Sequence, residues 1–126
     1  MGGPSNASLV DNFILNYIDS VAELEILALL KNFPELIWTS ASISLELRSS
    51  DLGASRNLQQ LVRKGLISQD IEHFFYAPNT EELLSALDLT LLAYQDRRVS
   101  VITAIYSKPA QRIKIFADAF KIGKKD

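Results

Sequence analysis

Apolar residues recur along this chain at steps of three and four, in runs broken by Ser, Pro and Gly, with one short β-prone interval near the middle. Leu9, Val10, Phe13, Ile14, Tyr17 and Ile18 share one side of a helix over residues 8–20. Ser20 stands three positions before Glu23, a capping-box spacing in which the serine oxygen accepts the Glu23 amide and the glutamate reaches back. A second helix therefore starts at Val21, with Ala22, Ile26, Leu29, Leu30 and Phe33 along its apolar side. Pro34 ends it.

Residues 36–38 are apolar and β-prone, and Thr39 is placed to cap a third helix holding Ile43, Leu45 and Leu47. Ser49 and Ser50 make a turn, and Ser50 caps a fourth helix whose Ala54, Leu58, Leu61 and Val62 face inward. Gly65 follows that helix, with Arg63 and Lys64 in its last turn, where cations suit the carbonyl end. Residues 66–68 and 74–77 then read as two strands around a tip at 69–73.

After Pro78, Thr80 caps a long helix that has Glu81 and Glu82 at its positive end. Leu84, Leu87, Leu91, Tyr94, Arg98, Val101 and Ile105 follow in alternating steps of three and four, an apolar seam with one charged interruption. Pro109 suits the first turn of a last helix carrying Ile113, Phe116, Ala117 and Phe120. Residues 1–7, small and polar, read as a tag remnant or a disordered end, and residues 121–126 as a fraying one. The fold class expected is mainly α with a small β-hairpin.

Over residues 21–78 this order of three short helices and a hairpin resembles the bacterial winged helix-turn-helix regulators of the multiple-antibiotic-resistance and arsenic-repressor type. The likeness rests on Trp38, Thr39, Ile43, Leu47, Ser50, Leu58 and Leu61, on the Gly65-Leu66-Ile67 ending, and on the aromatic strand Phe74-Phe75-Tyr76. The resemblance implies a DNA-binding transcriptional regulator in which residues 51–64 enter the major groove. Its outward positions would be Ser55, Arg56, Gln59, Gln60 and Arg63, where Arg can pair with guanine and Gln with adenine. Arg48 and Lys64 would hold phosphates. Two features depart from the pattern: Asp70 and Glu72 make the tip acidic, offset only by His73, and Asp51 occupies the helix end that would otherwise attract anions.

Such regulators often dimerise outside the wing domain. The seam Leu84, Leu87, Leu91, Tyr94, Val101 and Ile105, in residues 79–126, must pack on the N-terminal helix, on its twin in a dimer, or on both; a homodimer is the favoured expectation, with Arg98 needing an acidic partner such as Asp88 or Glu82 of a second copy, or the solvent edge. A small-molecule effector, if any, would sit between the wing domain and these helices, near Tyr94, Tyr106 and Phe116.

Composition narrows the alternatives. An apolar share of 48% supports a core at 126 residues, and 22% charge is ordinary. Without cysteine there is no disulfide or thiolate chemistry, a feature compatible with the cytoplasm. No apolar run reaches the roughly 20 residues that cross a bilayer. One histidine, no nucleophile elbow and no phosphate-binding glycine loop point away from an enzyme, and neither cofactor nor metal is expected. The net charge of −2 hides an asymmetry: residues 1–96 hold five cations against thirteen acids, whereas residues 97–125 hold eight cations against Asp118 alone. The acidic larger part leaves a second reading open, a winged-helix protein-interaction module that does not bind DNA.

Overall fold

The computed structural model describes residues 5–109. Six helices and one hairpin occur among them: α1 (Asn6–Tyr17), α2 (Val21–Asn32), α3 (Ser40–Leu47), α4 (Asp51–Arg63), β1 (Ile67–Asp70), β2 (His73–Tyr76), α5 (Glu81–Asp96) and α6 (Arg98–Tyr106). The chain is mainly helical with a small two-stranded antiparallel hairpin.

Side-chain caps start five of the helices. Ser5 accepts the Ser8 amide, Ser20 that of Glu23, Ser50 that of Gly53 and Thr80 that of Leu83. Thr39 and Ser42 cap α3 reciprocally. Each occupies one of the amides left over at a helix start and so fixes where the chain turns. The Ser20 cap differs in one detail: Glu23 Oε1 accepts the Asp19 amide at 2.7 Å rather than that of Ser20. Because Ser5 caps α1, Asn6 and Ala7 are helical rather than part of a loose end.

The interior is built around α2, which packs against α3, α4, α5 and β2. Its buried apolar side chains are Leu24, Ile26, Leu27 and Leu30, joined by Glu23, whereas Ala22 and Phe33 of the expected stripe are exposed. A helix enclosed on several sides buries more than one stripe, so a single-face reading misplaces its edges. Leu45 also points outward, at 82% exposure, while Ile43 fills the core. Arg48 ends α3 in the left-handed region (φ 54°), where Ser44 Oγ donates to the Ser49 carbonyl at 2.8 Å and closes the turn into α4.

The hairpin pairs Ile67 with Tyr76 and Asp70 with His73. Residues 36–38 contribute one bridge, the Phe74 amide to the Trp38 carbonyl at 2.9 Å, and not a strand. Gly65 (φ 78°) turns the chain out of α4.

The long helix expected after Thr80 is two. Arg97 (φ −137°, ψ 58°) breaks it, and α6 folds back across α1, which also packs on α5. Leu87, Leu91, Tyr94, Val101 and Ile105 are consequently buried inside the protomer, and of the seam only Leu84 is exposed, at 40%. The apolar surface assigned to a second copy is covered by the chain's own helices. Arg98 finds its acid at home too: its guanidinium lies 3.6 Å from Glu25 and 4.3 Å above the Tyr94 ring. The last helix, with Ile113, Phe116, Ala117 and Phe120, lies outside the described residues.

Candidate nucleic-acid interface

Helix α4 is the element on which the expected contacts converge. Ala54, Leu58 and Leu61 bury its inner face, and by helical periodicity Leu52, Arg56 and Arg63 follow the line opposite. All three are exposed. Asp51 and Ser55 lie on the flank turned to the hairpin, with Gln59 between that flank and the outer line, where its Nε2 donates to Gln69 Oε1 at 3.3 Å. Gln60 occupies the other flank, half-buried. Arg48 is exposed at the turn that leads into α4. Of the seven residues read as DNA contacts, Ser55, Arg56, Gln59 and Arg63 therefore run along the outer and hairpin-facing side of α4, and Arg48 is exposed at the turn before it.

Lys64 does not join them. Its ammonium is held by both oxygens of Glu23, at 2.9 and 3.1 Å, and by Asp19 at 2.9 Å. The Glu23 side chain is 1% exposed and Lys64 is the cation paired with it, so a phosphate would have to compete with a buried carboxylate. Lys108, read only as part of a basic end, is the second cation of the cluster. It is buried, and its Nζ donates to the Ile14 and Ile18 carbonyls at 3.1 and 2.5 Å and to Asp19 at 3.2 Å. A cation there sits at the negative end of α1, donating to the Ile18 carbonyl and giving the Ile14 carbonyl a second donor beside the Ile18 amide. Burial works to raise the Asp19 carboxyl, but the hydrogen bonds and charges of Lys64 and Lys108 outweigh it and hold the group below the usual carboxylate range.

The cations thus divide into two groups. Lys31, Lys64, Arg98 and Lys108 are all in internal ion pairs. Arg48, Arg56, Arg63 and Arg97 enter none among the described residues, and three of these four belong to the α3–α4 unit. Acids are present as well. An open groove of about 760 Å³ between α3, α4 and the hairpin has Asp51 and Glu72 on its walls and no Lys or Arg.

The site expected for an effector is only partly assembled. A cleft of about 230 Å³ between α2 and α5 includes Tyr94 with Glu25, Lys31 and Arg98. Burial, together with the hydrogen bond from its hydroxyl to Glu25, pushes the Tyr94 phenol up to about 12, against a smaller opposing pull from Arg98. Tyr106 is not in that cleft, and Phe116 lies outside the described residues.

Among the described residues no cluster of His, Asp and Glu is arranged to hold a metal, and no helix is long and apolar enough to cross a membrane. Protein-family models, curated proteins and solved structures yield no match to this chain.

Proposed function

We propose that α2, α3, α4 and the hairpin work as a winged helix-turn-helix unit that binds double-stranded DNA, with α4 laid into the major groove. The observation that carries this reading is the division of the cations. Among the described residues, Lys31, Lys64, Arg98 and Lys108 are neutralised by partners within the chain, whereas Arg48, Arg56 and Arg63, with Arg97 the one other exception, enter no ion pair and are exposed on α4 and the turn that leads into it. Arg56 and Arg63, two helical turns apart, can reach base edges or phosphates, and Ser55, Gln59 and Gln60 flank them. A side chain at the Arg48 turn is suited to the backbone.

Three arginines make a modest electrostatic footprint, and Asp51, Asp70 and Glu72 oppose it. At about 0.9 per neutralised phosphate, the slope of log affinity against log salt should lie near −2 to −3 for one unit. With the seam from Leu87 to Ile105 spent inside the protomer, the proposal concerns a single unit and not a pair held by that seam.

Anisotropy titration on a mixed-sequence duplex at two salt concentrations tests this. Binding with that slope, weakened by Arg56→Ala, supports it; no binding at low salt refutes it. The acidic, partly apolar groove beside α4 favours a second reading, a winged-helix module that docks another protein.

A further inference from the structure

We infer that the groove between α3, α4 and the hairpin receives a cationic amphipathic segment of a partner protein, an inference that rests on the interaction reading and not on DNA binding. The groove is open to solvent and measures about 760 Å³. Its floor and rim include Ala41, Leu52 and Phe74, and its walls carry the carboxylates of Asp51 and Glu72. No Lys or Arg lines it, so its two carboxylates favour a positively charged occupant.

Two exposed apolar side chains stand at the same feature. Leu52 in its wall is 66% exposed, and Ile71 at the adjoining hairpin tip is 85% exposed. Ile71 is also strained: it sits at φ 56°, a region that β-branched residues avoid and that glycine or asparagine fills at little cost. The Gln69 side chain donates to the Ile71 carbonyl at 2.8 Å and holds the tip in this shape. An exposed, strained isoleucine beside an acid-walled cleft offers an apolar anchor next to two counter-charges. That is the complement of a segment whose leucine-type side is flanked by Lys or Arg.

The test uses the full chain and a fluorescein-labelled Leu/Lys peptide with helical spacing, compared with a twin in which Glu replaces each Lys. The Lys peptide should bind in the micromolar range and the Glu twin should not. The double variant Asp51→Asn/Glu72→Gln should weaken binding about three- to fivefold, as expected for two exposed ion pairs. Ile71→Gly should weaken it about fivefold through lost apolar contact, and because it relieves the backbone, failure to fold cannot explain the loss. Glu81→Gln/Glu82→Gln, acids at the start of α5 and away from the groove, should leave binding unchanged. Equal binding of the two peptides, indifference to the groove variants, or sensitivity to the α5 variant instead overturns the inference. The same variants titrated with duplex separate the two outcomes. Ser55 and Gln59 line the groove and belong to both surfaces, so the separation rests on the charges: Arg56→Ala should weaken the duplex and spare the peptide, and Asp51→Asn/Glu72→Gln should weaken the peptide without weakening the duplex.

Discussion

Replacing Lys64 with methionine keeps the length and apolar stem of the side chain and removes only the ammonium. Glu23 would then retain the Asp19 amide as a donor but lose its cation, at a position where the side chain is 1% exposed. Removing one partner of a fully buried pair costs about 3–5 kcal/mol. Lys64 itself is 19% exposed, and one hydrogen bond to Glu23 survives, so the cost falls at or just below that range, about 2–3 kcal/mol. The arm to Asp19, whose side chain is 53% exposed, adds little. Urea unfolding followed by circular dichroism should show the midpoint falling by about 1–2 M with an unchanged slope. In Glu23→Gln/Lys64→Met the buried charge is gone and the Asp19 amide keeps an acceptor, so more than half of the loss should return. A loss below about 1 kcal/mol, with no recovery in the double variant, would refute the reasoning, because it would mean the ammonium is solvated and free for a phosphate.

Other consequences are equally direct. Gly65→Ala should destabilise by about 1–2 kcal/mol, since φ is +78° and an added methyl would collide with the Asn79 side-chain amide. Adding Asn79→Ala should relieve only the collision, and thermal melts of both variants check this. Asp19 is held below its ordinary value of 3.8 in the folded chain, so the stability it contributes is present above that pH and is lost as pH falls through the folded value. Urea midpoints measured from pH 7 down to pH 3 should fall less steeply in Asp19→Asn. Leu84→Asp, at the one exposed apolar residue of the seam Leu84, Leu87, Leu91, Tyr94, Val101 and Ile105, should leave the sedimentation coefficient unchanged, and dissociation on this substitution would show that the seam does join two copies.

Local chemistry was legible in the chain and distant chemistry was not. Ser20, Thr39, Ser50 and Thr80 all start helices where their oxygens were expected to, because a cap depends on residues only three positions away. The hairpin was legible from its aromatic strand and from Gly65, although its strands begin and end a residue or more from the expected limits. Two features were hidden. The break at Arg97 has neither Pro nor Gly to announce it; it exists because α6 gains cover by folding onto α1, a tertiary gain that outweighs one helical turn. Lys64 looked like a phosphate contact because its partner, Glu23, lies 41 residues earlier and registered only as a cap. Buried acids are the signal that finds such pairs, and burial is not written in helical spacing. Of the candidate site, the outward line of Arg56 and Arg63 followed from periodicity alone, since Ala54, Leu58 and Leu61 fix the inner face.

The most direct measurement is an amide NMR titration of the whole chain with a short mixed-sequence duplex at low salt. Arg48, Ser55, Arg56, Gln59 and Arg63 should carry the largest shift changes, with Lys64 and the α5–α6 residues nearly silent. Changes centred on another surface, or a spectrum indifferent to the duplex, would contradict the assignment of α4 to DNA.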